Sequence, residues 1–396
     1  MADTPYCPTP IGAGHLNMNT HRPSLQRLVI WEPSLSPHKS DFFTALARLN
    51  PEWEVICCAD RELSEGRRAM GWSVPKPVGY RNIVAPSSQT IEWLVAESVS
   101  TSLHIFSGIR WVPTILKGLT AVRANKARYA IMSEPRVGSG WSGALRWLQS
   151  WGEERYHRRH AAFILAIGRN GPPWFKSIGY SAEKIIPFAY FISPPSVKTY
   201  IPPSSEKLRV GYLGRLVKSK GVFDLVDALA HLNSCVTLDI AGGGADEDAL
   251  KAYCISAGVE ATLHGVLPMS DVNCFFRQVD VLVLASTTAD DGWGVVVSEA
   301  LMCGVAVVAT ATVGASVVLE RSLFGRCVPP NKPTAIADAI ENLRDTEELN
   351  PVNRALRAAT ATSILSAHAG AEYLMRVISW HDGRDARPPK FYEEHN

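Results

Sequence analysis

The chain has 396 residues, 46% hydrophobic and 20% charged, which is enough for two ordinary globular domains; charges, Gly or Pro break every apolar run well short of a membrane span. Its formal net charge of +2 conceals an asymmetry: residues 1–200 carry 23 Lys and Arg against 14 Asp and Glu, and the remainder carries 17 against 24. The basic half is expected to face a membrane surface or a phosphate-bearing acceptor rather than nucleic acid, since the chain has no base-reading basic helix and no RNP-like strand.

The polar, Pro- and Gly-rich start, residues 1–25, lacks the apolar segment of a secretory signal and is expected to be a disordered lead-in. A first domain, 26–195, alternates strands and helices. RLVIWEP (27–33), EVICCAD (54–60), TSLHIFSG (101–108), RYAIMSEPR (128–136), FILAIGRNG (163–171) and KIIPFAYF (184–191) read as strands. SDFFTALARLN (40–50), with Ser40 as N-cap, and VPTILKGLTAVRANK (112–126) read as helices. GALRWLQSWGEERYHRRHAAF (143–163) carries Trp147, Trp151, Arg155, Arg158 and Arg159. It reads either as a packed helix with a solvated basic face or as a helix lying on an anionic membrane.

Residues 196–207, with two Pro-Pro pairs nearby and a serine cluster, read as a linker. The alternation restarts over a second domain, 208–365. Its strands are LRVGYLG (208–214), VTLDIAGGG (236–244), ATLHG (261–265), DVLVLAS (280–286) and VAVVAT (305–310). Helices are expected over 222–232, 246–258, 269–279, 294–304 and 333–345. A helix at 366–380 and a mobile tail, 381–396, follow. The fold class is therefore α/β, two doubly wound Rossmann-like domains facing a cleft, with ligands beyond the carboxyl ends of the strands. Eight cysteines show no CxxC or Cys/His ligand spacing and read as buried thiols in a reducing cytoplasm.

Three stretches carry chemistry. In YLGRLVKSKG, Arg215 and Lys220 sit on a strand-to-helix loop where both cations can meet one diphosphate; exposed surface charges are the alternative. AGGG (241–244) lacks dinucleotide spacing and reads as a tight turn. In DDGWGVVVSEAL, Glu299 lies about 7.5 Å along a helix that starts at Gly294. Its side chain tilts back toward the helix start, where it can hold a ribose diol. The backbone of Trp293, Gly294, Val295 and Val296 can bind sugar or anion oxygens. Asp291 either holds hydroxyls of a second ring or serves as a capping carboxylate.

The order of these motifs over about 140 residues resembles the donor-binding domain of retaining glycosyltransferases of family four, which have the GT-B fold. The matching pieces are YLGRLVKSKG, LDIAGGGADEDALKAYC, LHGVLPMSDVNCFFRQVDVLVLAS, DDGWGVVVSEALMCGVAVVATATVG and GRCVPP. The resemblance implies a nucleotide-diphosphate sugar donor and a saccharide or lipid-linked acceptor. It also implies retention of anomeric configuration and a site without metal or cofactor. Arg215 and Lys220 would then hold the diphosphate, Glu299 the ribose, and Asp291 with 293–296 the sugar. The family usually has Glu where this chain has Asp291. The first domain departs more: EPSLSPHKS (32–40) replaces a Gly-Gly turn, and Glu134 stands near a family His. Glu134 is the catalytic candidate of that half. His38, Lys39 and His104 are cleft candidates or structural residues. A donor-binding scaffold and a GT-B epimerase or phosphorylase are the competing functions. The expected location is the cytoplasm, at the inner face of the membrane where the acceptor is lipid-linked.

Overall fold

The computed structural model describes residues 24–69, 72–136, 138, 140–196, 207–232, 236–289 and 292–393. The lead-in before residue 24, the linker between 196 and 207, and Asp291 lie outside the described residues.

Seven parallel strands form the first sheet: β1 (Arg27–Glu32), β2 (Glu54–Ala59), β3 (Arg81–Val84), β4 (Ser102–Ser107), β5 (Tyr129–Ser133), β6 (Ile164–Ile167) and β7 (Ile185–Phe188), in the order β3-β2-β1-β4-β5-β6-β7. Six form the second: β8 (Leu208–Leu213), β9 (Val236–Ala241), β10 (Ala261–Leu263), β11 (Val281–Leu284), β12 (Ala306–Thr310) and β13 (Gly325–Val328), in the order β10-β9-β8-β11-β12-β13. Helices cover both faces, so the central strands are largely buried, and every residue of β1 and β11 is buried. Each sheet reverses strand order once, between β1 and β4 and between β8 and β11. A crevice for ligands opens at such points.

Three expectations need correction. The first helix is Pro37–Leu49, with Ser36 at the N-cap position. Pro37 is pre-organised for the first helical position, and Ser40 instead lies inside the helix, buried, bonded to Tyr80 Oη at 2.9 Å. His104 is wholly buried within β4, accepting from Trp31 Nε1 at 3.2 Å, and burial lowers its pKa to about 3. It is a neutral core residue, not a cleft residue. The tail is docked as far as residue 393: Arg321 donates to the carbonyls of Tyr392 and Glu393 at 2.9 and 2.6 Å, and Phe391 is buried.

The C-terminal segment joins the domains. The Pro351–Leu365 helix ends at Ser366, and the Ala367–His381 helix then crosses to pack on Pro37–Leu49. Phe391 sits between Phe191 (ring centroids 5.3 Å), Tyr373 (5.8 Å) and Trp293 (6.1 Å), so residues from both domains share one apolar core. No helix among the described residues is long and apolar enough to cross a membrane.

Candidate active site

The second-domain wall of the cleft is built on the loops after β8 and β11, neighbours across the strand-order reversal. The loop after β8 carries exposed Arg215 and a short turn, Lys218–Lys220, that buries Lys220. It is tied to the loop after β11 by Thr287 N–H, which donates to Ser219 O at 2.9 Å. The glycines after β9 serve this loop as a tight turn: Leu216 N–H donates to Gly243 O at 3.0 Å, and Gly214 N–H to Ala241 O at 3.0 Å.

Gly294, at φ +89°, caps the Val295–Met302 helix and sends the chain into it through a left-handed conformation that glycine adopts without strain. Gly294, Val295 and Val296 are half-buried. The Trp293 indole turns inward, donates to Ser298 Oγ at 3.0 Å and touches the Phe391 ring. Its side chain therefore anchors the loop in the shared core, and its carbonyl accepts from Ala315 N–H at 2.7 Å. Glu299 is half-buried one turn into the helix. Burial alone pushes its pKa up to about 7, with no cation or donor among the described residues to offset the loss of hydration. A carboxylate kept in this state is poised to accept hydroxyl donors from a ligand.

The opposite wall comes from the segments after β1, β2, β4 and β5. They enclose a cavity of about 380 Å³ lined by Glu32, His38, Lys39, Arg67, Trp72 and Glu134, with Val295 reaching in from the second domain. Its floor is a continuous polar chain. Lys39 donates to both Glu32 oxygens at 2.9 and 2.8 Å; Ser107 Oγ donates to Glu32 Oε1 at 2.7 Å. The ammonium lies 5.0 Å from the Tyr190 ring centre, and Tyr190 Oη donates to Glu134 Oε1 at 2.9 Å. Burial, and then the Glu134 charge, hold the Tyr190 pKa well above its usual value, so it remains a donor. At the rim, Arg67 stacks on Trp72 at 4.9 Å and donates to Ser34 Oγ at 2.9 Å. His38 meets Trp72 edge-on at 4.9 Å. Burial, helped by Arg67, lowers the His38 pKa to about 4, so the imidazole is neutral.

The two walls touch. A methyl group on Gly292 would stand 1.9 Å from the Glu134 carboxyl carbon, so a side chain there would force Glu134 out of its place against Tyr190. Arg169 donates across the cleft to Ser316 Oγ (2.9 Å) and Ser316 O (3.1 Å), and its own N–H to Gly314 O at 2.8 Å. The cleft is closed around Glu134 and the 292–296 loop. Glu134, Lys39, His38, Val295 and the 293–296 backbone are thus gathered around one cleft, and the Arg215–Lys220 loop adjoins it through Thr287. Sequence reasoning missed Glu32, Ser107, Arg67, Trp72 and Tyr190. Glu32 carried a usable signal, a carboxylate ending the buried run RLVIW.

Two solved structures share this fold. That of Anabaena Alr3699/HepE, in complex with UDP, superposes with a TM-score of 0.69, covering 89% of this chain and 100% of that one at 16% identity. The apo form of the lipopolysaccharide outer core galactosyltransferase WaaB gives 0.66, with 89% and 99% coverage at 16% identity. The fold is GT-B. In sequence, residues 200–359 match the family model described as glycosyl transferases group 1, so the match falls on the second of the two Rossmann-like domains. The amylovoran biosynthesis glycosyltransferase AmsK of Erwinia amylovora is 27% identical over 226 residues, 54% of this chain and 55% of that protein. The D-inositol 3-phosphate glycosyltransferase of Arthrobacter sp. (strain FB24) is 32% identical over 148 residues, 35% of each. The chain therefore spans about half or less of the length of these relatives in the matched region.

Proposed function

We propose that this chain is a retaining glycosyltransferase that works without a bound metal. It moves a sugar from a nucleoside-diphosphate donor to a saccharide or lipid-linked acceptor in polysaccharide or glycolipid synthesis on the cytoplasmic side. The observation that carries this reading is Glu299: a half-buried carboxylate with no cation or donor among the described residues to stabilise its charge, on the helix that follows the loop where Gly292 meets Glu134. Such a group suits a ribose diol. The uridine diphosphate in the similar Anabaena structure supports a nucleoside diphosphate as its ligand.

In this reading the bond from the sugar C1 to the diphosphate oxygen breaks, and a bond from C1 to an acceptor hydroxyl oxygen forms. The hydroxyl proton ends on the released diphosphate. Negative charge grows on the diphosphate as C1 gains oxocarbenium character, and Arg215, Lys220 and the N–H groups that open the Val295–Met302 helix stabilise it there. Asp291 and the 293–296 backbone hold the sugar. Glu134, fixed by Tyr190, faces the sugar from the acceptor side. A closed cleft excludes water that would otherwise hydrolyse the donor.

Calorimetric titration with UDP, GDP, ADP and CMP, with and without EDTA, tests the donor site. One nucleotide should bind selectively and insensitively to EDTA. Arg215→Ala or Lys220→Ala should weaken it by about 1.5–3 kcal/mol, the size of a charge-assisted hydrogen bond. Unchanged affinity in both variants would refute the diphosphate assignment. The anomeric configuration of the product, read by NMR, tests retention.

A further inference from the structure

The Gly140–Glu153 helix is fourteen residues long, yet only Ser150 is buried. Trp141, Leu145 and Leu148 follow at i, i+4 and i+7, and are 89%, 65% and 57% exposed. Trp151 continues the stripe at 52%. Trp147, by contrast, is half-buried against the first-domain core and stacks on Trp151 at 6.5 Å. Beside the helix, Trp111 is 77% exposed and is held at φ +67°, a conformation unusual for a side chain of its size. The neighbouring Arg110 ties this loop to the helix end through Glu153 (3.3 Å) and Glu154 (2.9 Å). A single helix of this length is marginal in water without an apolar partner. Trp147 and Arg158 lean on Trp151, but Trp141, Leu145 and Leu148 stay exposed.

We propose that this stripe, with Trp111, docks the protein onto the interface of an anionic lipid membrane. Charge selects the occupant. Residues 101–160 carry ten Lys and Arg but three Asp and Glu. Each acid is already engaged: Glu134 by Tyr190, Glu153 by Arg110 and Gln149, Glu154 by Arg110 and Tyr180. Arg146, Arg155 and Arg159 are exposed along the same segment. Pairing two copies through this face would bring two basic segments together, whereas anionic headgroups neutralise them. Tryptophan and leucine beside arginine is the composition of an interfacial helix.

The position deepens the proposed function, and in that respect rests on it. Gly108 and Glu134 line the acceptor-side cavity. Trp111 lies three residues beyond the first, and the helix starts six beyond the second. A docked protein would hold the cavity at the membrane surface, where a lipid-linked sugar can enter headgroup first.

The test is co-flotation of the full chain with vesicles of neutral phosphatidylcholine, or of the same lipid with about a third phosphatidylglycerol. The wild type should float with the anionic vesicles at low salt and be released as salt rises. The triple variant Trp111→Ser, Trp141→Ser, Leu148→Ser should lose at least tenfold in lipid affinity. Unchanged UDP binding and circular dichroism would show that it is folded. Arg146→Glu with Arg155→Glu should lower affinity for anionic vesicles only. No flotation of the wild type, an unaltered triple variant, or a wild-type dimer that the triple variant abolishes would overturn the proposal. UDP binding is read separately, so failure here leaves the donor-site reading standing, and the reverse also holds.

Discussion

Glu299→Gln should stabilise the free protein at alkaline pH while weakening its hold on nucleotide. Burial raises the Glu299 pKa from 4.5 to about 7. In the folded chain the proton is therefore held more tightly than in the unfolded chain. The native state gains stability from this group below pH 4.5 and loses it as pH rises through about 7. At 1.36 kcal/mol per pH unit the full difference is about 3 kcal/mol, and about 1–3 once the solvent reached by a half-buried side chain is allowed for. Glutamine has the same shape and no charge, so the variant should escape this loss. Urea denaturation at pH 5 and pH 8 measures it: the wild type should lose stability relative to the variant between the two values. In titrations with UDP at pH 8 the variant should bind more weakly by about 1.5–3 kcal/mol, since a carboxylate accepts from both ribose hydroxyls and an amide from fewer. A variant no more stable than wild type at pH 8, with unaltered UDP affinity, would show that Glu299 is an ordinary solvated side chain.

Other substitutions test the walls of the cleft and its anchor. Gly292→Ala pushes a methyl into the Glu134 carboxyl and should abolish turnover, while the double variant with Glu134→Gly should regain cleft closure, read by small-angle scattering with nucleotide bound. Tyr190→Phe removes the hydroxyl that holds Glu134 but keeps the ring under Lys39; kcat should fall with little change in nucleotide affinity, and an unaffected kcat would remove Glu134 from the reaction. Phe391→Ala empties a site shared by Phe191, Tyr373 and Trp293 and should lower stability by about 3 kcal/mol in thermal unfolding; a loss under about 0.5 kcal/mol would mean that the tail is not docked in solution.

The second-domain wall of the candidate site was legible because its residues sit on contiguous pieces of chain. Arg215 and Lys220 share one loop and Glu299 one helix, each following an unmistakable buried strand, so strand, turn and helix patterns locate them together. The first-domain wall was not, because Glu32, Ser107, Glu134 and Tyr190 come from four separate places that only the parallel sheet assembles. His104 misled for a related reason. A parallel strand covered on both faces buries every residue, so a polar side chain within it does not mark an exposed face. At the first helix the reading from Ser40 overlooked Pro37, which cannot stand far inside a helix and so favours Ser36 as the cap. The docked tail was hidden because a single aromatic anchor among RPPKFYEEHN leaves no periodic pattern. The helix over 140–153 has the composition of a packed amphipathic helix, and only the fold reveals that Trp141, Leu145 and Leu148 on its apolar side stay exposed.

Glu32 and Glu299 show where sequence reasoning reaches its limit. Each is a carboxylate next to a long apolar run, and each must find a partner or bear the cost of burial. Glu32 finds Lys39 and Ser107 within the protein and is thereby fixed as part of the cavity floor. Glu299 finds neither cation nor donor among the described residues and remains near neutrality in its charge equilibrium at physiological pH. The two are alike in sequence and opposite in consequence. A partnered carboxylate positions its neighbours. One left without compensation destabilises the empty protein, and in the proposed reading that desolvation cost is recovered when the ribose hydroxyls arrive as hydrogen-bond donors.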